Sequence, residues 1–396
     1  MKIFVILSRV PFPLEKGDKL RAFHQLRELK KNNEIILCCI TDIQPAAEAA
    51  HALKEICHEF HIFHLKKWKI YANLIFNILS RKPFQVMYFY QKNIHSAIQK
   101  LIATTQPDHI YCQLIRTAEY AKNEHDFPKT LDYQDAFSKG MERRLKKARW
   151  PMTEIFAAER RRLINYENII FEYFEGKTII SEEDRRYIYH PERKNIAIVT
   201  NGIDTRFFKN DHSTQPTYDL VFTGNMSYPP NIETAEYIVK IVMPLIRKSK
   251  PDTTLLLAGS DPHRRVKALD KYRGVHVSGW VDDIREAYAS ARIFFAPMQI
   301  GTGLQNKLLE AMAMELPCVT SPLANKALKA KDKKDIFEAN VPEDYATLIC
   351  ALLDDPDLRN AIGKRGRTFV QSRFSWEASS AQLESAMAAQ NKAVVV

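Results

Sequence analysis

Short apolar runs alternate with stretches of helical periodicity along the whole chain. Residues 2–8 (KIFVILS) predict a buried parallel strand, residues 19–31 a helix, and residues 34–41 a second strand. Such a strand–helix–strand opening is typical of an α/β fold with a parallel sheet. Later strands of the same sheet are predicted at 109–114, at 130–132 continuing into 133–138, and at 178–181, where the first sheet closes.

The second half repeats the pattern. Strands are predicted at 196–199, 219–223, 254–258, 275–278, 293–296 and 318–320, with helices at 231–247 and 282–290. Each strand ends at a glycine or a turn, which is how a doubly wound sheet forms a ligand crevice along one edge. With 396 residues, two domains are expected, at 1–192 and 193–374, followed by a helix in 375–396 that can pack back on the first domain.

The composition agrees with a two-domain α/β protein and adds little to that prediction. The chain has 58 Lys and Arg against 47 Asp and Glu, and residues 1–192 hold 31 of the former and 24 of the latter, so the positive excess is mostly N-terminal. The six cysteines form no CxxC pattern, which favours neither a zinc site nor a disulfide framework. No signal peptide and no apolar run of membrane-spanning length is recognised, so we expect a cytoplasmic protein.

One segment has an unusual charge pattern. Residues 60–107 contain no Asp or Glu but seven Lys or Arg, interleaved with aromatic and aliphatic side chains. Such a segment can lie on the anionic inner face of a membrane, or form a core helix with a solvated basic face. Nucleic acid is a third partner to consider, but no nucleic-acid motif accompanies the charge, and we expect none.

The strongest chemical candidate is residues 297–321, PMQIGTGLQNKLLEAMAMELPCVTS. The pattern predicts a glycine loop with Gly301 and Gly303, then a helix with Leu304 on its apolar face. Glycines let a ligand approach the backbone closely, and a helix N-terminus attracts phosphate. Lys307 and Glu310 share one face, so a cation for phosphates and a carboxylate for sugar hydroxyls lie one turn apart. The alternative is a solvated surface Lys–Glu pair.

A second candidate site lies in the first half. Gly17 and Asp18 follow the first strand, at the edge where open α/β sheets bind ligands. They predict a loop for acceptor or phosphate, unless Gly17 only permits a turn. Asp135 is expected at a strand's carboxyl end, as a site carboxylate or as a helix cap.

The second half resembles the family 4 glycosyltransferases of the GT-B fold. Its motifs are weak singly but specific in this order over about 180 residues. They are Asn201-Gly202-Ile203-Asp204, Phe207-Phe208, Phe222-Thr223-Gly224-Asn225-Met226, Pro230-Asn231, Pro244-Leu245-Ile246, Leu257-Ala258-Gly259, Ser278-Gly279-Trp280-Val281-Asp282-Asp283, Leu309-Glu310-Ala311-Met312-Ala313 and Pro317-Cys318-Val319.

The first half resembles one branch of that family, the sugar transferases associated with exopolysaccharide export systems. The matching residues are Pro11-Phe12-Pro13, Gly17-Asp18, Arg21, Leu131-Asp132-Tyr133, Asp135, Ser138, Ala148-Arg149-Trp150-Pro151 and the segment 159–167. The resemblance therefore extends over nearly the whole chain.

The resemblance implies two Rossmann-like domains facing each other across a cleft, and retaining, metal-independent transfer from a nucleotide-diphosphate sugar, with no other cofactor. Glu310 would hold the ribose, and Lys307 would stabilise the leaving diphosphate. The remaining donor-binding residues implied or considered are Gly224, Asn225, Trp280, Val281, Gly301, Thr302, Gly303, Leu304 and Asn306.

The chain departs from the family pattern at two places. The family usually has two glutamates eight residues apart, but Thr302 stands eight residues before Glu310. Many members also have an arginine shortly after the glycine that matches Gly224, where this chain has Asn225. Either Thr302, Asn306 and Lys307 rearrange donor recognition, or activity is weak or absent. The family's catalytic histidine has no clear counterpart either, since His109, the nearest, opens a buried strand.

These observations predict a glycosyltransferase that adds a sugar to a saccharide or lipid-linked acceptor in exopolysaccharide or surface-glycan assembly. It would be cytoplasmic and peripheral to the inner face of the plasma membrane. A non-catalytic GT-B binding protein and a nucleotide-sugar epimerase remain the alternatives.

Overall fold

The structure is a computed structural model that describes residues 1–14, 17–145, 148–210, 215–299 and 304–393. The chain divides into unit 1, Met1–Gly202 with Trp376–Val396, and unit 2, Ile203–Ser375. Each unit has one sheet, and every described strand pairing is parallel. The predicted α/β architecture with two Rossmann-like domains is confirmed.

The sheet of unit 1 has seven strands in the order β3-β2-β1-β4-β5-β6-β7, a doubly wound topology that places helices on both faces. The strands are β1 Lys2–Leu7, β2 Glu34–Thr41, β3 Glu59–His64, β4 His109–Gln113, β5 Lys129–Asp132, β6 Gly176–Ile179 and β7 Ala197–Ile198. The helices are α1 Gly17–Leu29, α2 Ala49–Ile56, α3 Lys67–Phe76, α4 Phe84–Phe89, α5 Lys92–Thr105, α6 Phe137–Leu145, α7 Met152–Phe171 and α8 Glu182–Arg186, with the C-terminal helix Trp376–Ala393.

Alternating side chains of β1 and β2 fill two different cores. Val5 and Leu37 pack on the face covered by α1 and α2, whereas Phe4 and Ile36 pack on the opposite face. Because both faces are buried, these strands are continuous apolar runs rather than alternating ones.

Two sequence expectations about this sheet were wrong. Residues 196–199 were assigned to the second domain, but β7 pairs with β6 and is the last strand of the first sheet. The division between the units therefore falls after Gly202 and not after residue 192. Residues 133–138 do not continue β5, which ends at Asp132, because α6 begins at Phe137.

The C-terminal helix packs on α1 within unit 1. The indole of Trp376 stacks on the ring of His24, with 4.9 Å between centroids. Asn33 Nδ2 donates a hydrogen bond to Glu384 Oε1 over 2.8 Å. Leu383 and Met387 are fully buried in the core beneath α1, so this helix is part of the first unit's core.

The sheet of unit 2 has six strands in the order β10-β9-β8-β11-β12-β13. The strands are β8 Tyr218–Thr223, β9 Leu255–Ala258, β10 Val275–Gly279, β11 Ala291–Ala296, β12 Cys318–Thr320 and β13 Phe337–Glu338. The helices are α9 Pro229–Tyr237, α10 Met243–Ser249, α11 Arg264–Lys267, α12 Ile284–Ala289, α13 Asn306–Ala313, α14 Pro322–Leu328, α15 Pro342–Asp354 and α16 Pro356–Phe374. A π-helical segment, Ile238–Val242, joins α9 to α10, where one uninterrupted helix was predicted.

Candidate functional site

Glycines bring the carboxyl ends of β8, β9 and β10 together. Gly224 N donates to Ala258 O over 3.1 Å, and Gly259 N donates to Gly279 O over 2.9 Å. A Cβ on Gly259 would lie 1.8 Å from Gly224 O, and both residues have φ near +145°. Only glycine fits such backbone. No side chain therefore covers the backbone at this edge of the sheet, where a ligand can approach.

Lys307 reaches this edge from the first turn of α13. Its ammonium group donates a hydrogen bond to Asn231 Oδ1 and lies 4.8 Å from the centroid of the Phe222 ring. It would be 3.3 Å from a Cβ on Gly224. The lysine cation is therefore held beside the exposed backbone at the end of β8.

The environment of Lys307 is poor in compensating charge. Burial lowers the pKa of its ammonium group to about 8, although the charge of Glu310 opposes that shift. A group placed this way is stabilised when an anion arrives, because an opposite charge favours its protonated form. The site is thus suited to a phosphate or diphosphate.

Glu310, one turn further along α13, is held by a different partner. Tyr288 OH donates to Glu310 Oε2 over 2.6 Å and is 2.8 Å from Thr223 Oγ1. Since the phenol has one proton, Thr223 is the donor in the second bond. Burial raises the pKa of Glu310, while Tyr288 and Lys307 lower it. The carboxylate is oriented by a buried hydroxyl chain.

Lys307 and Glu310 do not form the solvated surface ion pair that the sequence left as the alternative. Both side chains are half-buried, and no ion pair between them occurs in the part of the chain that the structure describes. Each one is instead fixed by a separate neighbour, Asn231 or Tyr288. Two oppositely charged groups with independent supports can contact different parts of one ligand.

Asn225 is connected to the same site through its backbone. Asn231 Nδ2 donates to Asn225 O over 2.8 Å, while Asn225 Oδ1 accepts from Ser227 N and Ser227 Oγ. The side chain of Asn225 is therefore occupied within its own turn. Only its carbonyl belongs to the cluster around Lys307.

Trp280 and Val281 follow the end of β10. Trp280 is 72% exposed, its Nε1 donates to Asp282 Oδ1 over 3.3 Å, and Val281 is half-buried. Gly279, just before them, is bonded to Gly259 at the glycine edge. The structure thus places these two residues next to that edge.

The loop before α13 is described only in part. Gly301, Thr302 and Gly303 lie outside the described residues. Leu304 was expected on the helix, but α13 begins at Asn306, and Leu304 packs against the core just before it. Asn306 is the first helical residue and is exposed.

The first-half candidates are distributed over two places in unit 1. Gly17 is the first residue of α1, and a Cβ there would meet nothing within 4 Å. Asp18 is paired with Arg9, so its carboxylate already has a partner. Asp135 is exposed and lines a cavity that also contains Arg116. His109 is fully buried and bonded to Thr130.

Sequence reasoning missed the polar residues that support the site. Asn231 and Tyr288 were not proposed as functional, yet they hold Lys307 and Glu310. A buried tyrosine hydroxyl or amide needs a partner, but one sequence cannot show which of its polar residues are buried.

Part of unit 2 is similar to a known family of enzymes. Residues 217–355 match the family described as Glycosyl transferases group 1. This range includes the glycine edge, Asn231, Tyr288, Lys307 and Glu310. Together with the fold, the match supports a GT-B glycosyltransferase.

Two relatives are similar to this chain, one over nearly its whole length and one, a glycosyltransferase, over about a third of it. The chain is 20% identical over 387 residues to a Klebsiella pneumoniae protein described as an uncharacterised 44.6 kDa protein in the cps region, covering 94% of this chain and 96% of the relative. It is 31% identical over 148 residues to the GDP-mannose-dependent monoacylated alpha-(1-6)-phosphatidylinositol monomannoside mannosyltransferase of Corynebacterium glutamicum. That match covers 34% of this chain and 39% of the mannosyltransferase.

Solved structures show the same fold. A glycosyltransferase from Rickettsia africae superposes with a TM-score of 0.63 at 12% identity, covering 99% of both chains. Anabaena HepE in complex with UDP superposes with a TM-score of 0.61 at 14% identity, covering 98% of this chain and all of HepE. The predicted GT-B fold class is therefore confirmed.

Proposed function

We propose that this protein is a retaining glycosyltransferase that moves a sugar from a nucleotide-diphosphate sugar to a saccharide or lipid-linked acceptor. The observation behind the proposal is the separate support of Lys307 and Glu310 beside the glycine edge of unit 2. A cation and a carboxylate on consecutive turns match two adjacent parts of such a donor, its diphosphate and its ribose.

In this mechanism Lys307 stabilises the leaving group. The bond between the anomeric carbon and the diphosphate oxygen breaks, and the acceptor hydroxyl oxygen forms the new bond while its proton leaves with the diphosphate. Negative charge grows on the diphosphate, and a fixed cation there lowers the barrier. Lys307 and the start of α13 would supply that positive charge without a metal, with the donor as the only small molecule needed.

Glu310 has the donor-binding role in the proposal. Two carboxylate oxygens can accept from two adjacent hydroxyls, such as those of a ribose. Tyr288 occupies one oxygen from the side of the core, which leaves the carboxylate oriented rather than free to rotate. Gly224, Gly259 and the backbone of Asn225 and Trp280 would complete the donor pocket.

The comparisons support a nucleotide-sugar donor and a saccharide acceptor. HepE has been solved with UDP and with UDP-glucose, and the mannosyltransferase relative is named for GDP-mannose and a lipid-linked acceptor. A relative in a cps region favours exopolysaccharide or surface-glycan assembly as the setting. The non-catalytic protein and the epimerase remain alternatives.

We also propose peripheral binding to an anionic membrane surface. Five large apolar side chains are exposed on α3 and just after it: Trp68, Tyr71, Ile75, Phe76 and Ile78. We name these five residues, together with Lys66, Lys67 and Arg81, the basic–apolar patch. Only Ile70 of α3 is buried, so the core-helix alternative does not describe α3, whereas α5 in the same acid-free stretch buries Ile94, Ile98 and Ile102 and fits that alternative. No described helix is long and apolar enough to span a bilayer.

Helix α7 adjoins this patch and adds an exposed apolar side chain to it. Arg162 of α7 donates to Asn77 O and Ile78 O over 3.1 and 2.8 Å. Ile155 lies seven residues earlier, on the same face of α7, and is 48% exposed. Exposed lysines beside apolar side chains complement anionic lipids, since the apolar groups enter the interface and the cations meet the headgroups.

The experiment that tests the transferase proposal is a thermal-shift screen of the full chain against nucleotide diphosphates and nucleotide-sugars, starting with UDP and GDP. Selective stabilisation by one nucleotide is expected, because a ligand that binds only the folded state raises Tm. A transfer assay with the matching donor follows, and the anomeric configuration of the product decides whether transfer is retaining. A flat screen contradicts the proposal, and donor consumed without an acceptor favours the epimerase.

A further inference from the structure

Unit 1 contains a cavity of about 250 Å³ that the proposed donor site does not use. It lies beyond the carboxyl ends of β4 and β5, the edge at which parallel sheets bind ligands. Arg116 stands three residues after β4, and Asp135 three residues after β5. The charged and polar lining residues are Arg116, Lys139, Arg144, Asp135, Asp184 and Gln85.

Arg116 is held rigidly in this cavity by uncharged groups. Its guanidinium carbon lies 5.2 Å from the centroid of the Phe89 ring and 4.9 Å from that of Phe137. Its Nη2 donates to Gln85 Oε1 over 3.1 Å, while its Nε is buried without an acceptor. Within the described residues, no carboxylate is close enough to form an ion pair with Arg116.

The surroundings of Arg116 disfavour its charged form. Burial and the nearby charges of Arg9 and Arg144 together lower its pKa to about 10, against the effect of Asp18 and Asp42. Those two carboxylates are already engaged, Asp18 by Arg9 and Asp42 by the hydroxyl of Tyr88 at 2.6 Å. Arg116 is thus a half-buried cation that has no carboxylate partner among the described residues, which favours an anionic ligand in this cavity.

The other positive groups around the cavity are less suited than Arg116 to bind an anion directly. The N-terminus of α6 is already capped, because Ser138 N donates to Glu167 Oε1 over 3.0 Å. Lys139 is bonded to Glu142 at 3.2 Å. Arg144 is exposed and can add long-range attraction for an anion.

We infer that this cavity binds the phosphate or carboxylate group of an acidic acceptor sugar, with Arg116 as the residue that selects the charged acceptor. A planar guanidinium matches two oxygens of such a group, and the flanking rings fix its orientation. The volume is below the range of about 300–1,000 Å³ typical of drug-sized ligands, so it suits one charged sugar unit. This inference rests on the proposed transferase function, for which it narrows the acceptor class.

The test is calorimetry on the full chain with glucose 1-phosphate, glucuronic acid and glucose. At least one charged sugar is expected to bind at least tenfold more tightly than glucose. Arg116→Met should weaken that binding at least tenfold, whereas Arg161→Met, which removes an exposed arginine of α7, should not. Failure of both charged sugars to bind, or equal binding by Arg116→Met, overturns the inference.

Two further measurements distinguish recognition of a charged sugar from binding of phosphate alone and from a purely structural role of Arg116. Inorganic phosphate binding as tightly as glucose 1-phosphate would overturn the acceptor assignment, since it would mean that the sugar is not recognised. The Tm of Arg116→Met should be unchanged or higher, because the variant removes a half-buried charge that has no ion-pair partner among the described residues. A lower Tm with intact sugar binding would indicate a structural arginine and overturn the inference.

Arg116→Lys keeps the charge without the planar fork. It should also bind more weakly, and it serves as the test variant if Arg116→Met does not fold. Titrations of the same samples with UDP and with GDP distinguish the two proposals. Absence of binding of both nucleotides to the wild type contradicts the donor site of unit 2, whereas the sugar titrations address only unit 1.

Discussion

The hydroxyl of Tyr288 donates a 2.6 Å hydrogen bond to Glu310 Oε2 from within the core of unit 2. Tyr288 is fully buried and also bonded to Thr223. The proposed ribose-binding carboxylate is therefore positioned by a residue that does not reach the ligand.

Tyr288→Phe tests this positioning. Glu310 and Thr223 each lose a buried partner, so we expect a loss of about 1–3 kcal/mol in the free energy of unfolding. Nucleotide affinity should fall roughly tenfold, about 1.4 kcal/mol, as measured by calorimetry with the nucleotide identified in the thermal-shift screen. Tyr272→Phe, on a more exposed tyrosine of unit 2, is the control. Unchanged affinity in Tyr288→Phe would separate Glu310 from nucleotide binding.

Glu310→Ala removes the carboxylate itself. The expected result is weaker nucleotide binding than in Tyr288→Phe, because the ligand hydroxyls lose their acceptor as well as its orientation. Calorimetry on the two variants side by side gives the comparison. Wild-type affinity in Glu310→Ala would reject its ribose role.

Lys307→Met should separate catalysis from stability. Turnover should fall on the order of 10²–10³-fold, the usual effect of removing one group that stabilises developing negative charge. Stability should be unchanged or higher, since an apolar side chain replaces an ammonium group whose charge burial disfavours. The measurements are the transfer assay and urea unfolding. Lys326→Met is the matched exposed control, and activity within twofold of wild type in Lys307→Met would exclude its leaving-group role.

The pH dependence of activity follows from the pKa of Lys307, lowered to about 8. In the free enzyme the cation is lost as the pH rises through this value, so kcat/KM should decline above about pH 8. A bound diphosphate raises the lysine pKa, so the decline in kcat should begin at higher pH. Lys307→Arg should lack this limb if it remains active, because guanidinium stays charged. A wild-type profile that is flat to pH 10 would contradict the assignment.

The lowered pKa of Lys307 also predicts how the free energy of unfolding changes with pH. Its pKa is lower in the folded state than the 10.5 of a free side chain, so between pH 8 and 10.5 the unfolded state binds more protons. Stability contributed by this group should therefore rise with pH over that window. The difference in unfolding free energy between wild type and Lys307→Met, measured at several pH values, isolates the effect.

In unit 1, the buried pair of Arg21 and Asp132 predicts a large stability effect. Arg21 Nε donates to Asp132 Oδ2 over 2.7 Å, and both side chains are fully buried. Asp132 also accepts from Tyr111 and Thr178. Asp132→Ala should cost about 3–5 kcal/mol, because it leaves Arg21 as an uncompensated buried charge.

Urea unfolding measures that cost, with Asp126→Ala as the exposed control. The double variant Arg21→Met, Asp132→Leu should recover part of the loss. A cost below about 1 kcal/mol, the size of a surface pair, would contradict this account.

The basic–apolar patch predicts binding to anionic vesicles. Lys66→Gln with Lys67→Gln, and separately Phe76→Ser with Ile78→Ser, should each reduce sedimentation with phosphatidylglycerol vesicles. Lys92→Gln with Lys100→Gln removes equal charge from exposed positions of α5 outside the patch and should have little effect. Binding should weaken with salt. Equal loss in the two lysine pairs, with no loss in Phe76→Ser with Ile78→Ser, would mean that net charge rather than this surface is responsible.

Much of each sheet was predictable because buried parallel strands are continuous apolar runs. The bounds of β2 and β12 agree with the predicted 34–41 and 318–320. β3 was missed because histidines interrupt its pattern. β7 was placed in the wrong sheet because a two-residue strand has no pattern that identifies its neighbour, and its pairing with β6 is a tertiary contact.

The sequence by itself determined the α/β class, most of the strands with the glycine turns that follow them, and the choice of Lys307 and Glu310 as candidates, because these follow from periodicity and local spacing. Only the tertiary structure decided that Asn231 and Tyr288 hold those side chains and that Arg116 lies between two phenylalanine rings. The partners in these contacts are 22 to 76 residues apart for the site in unit 2. Such contacts form only when distant elements pack together, and no local pattern in one sequence specifies them.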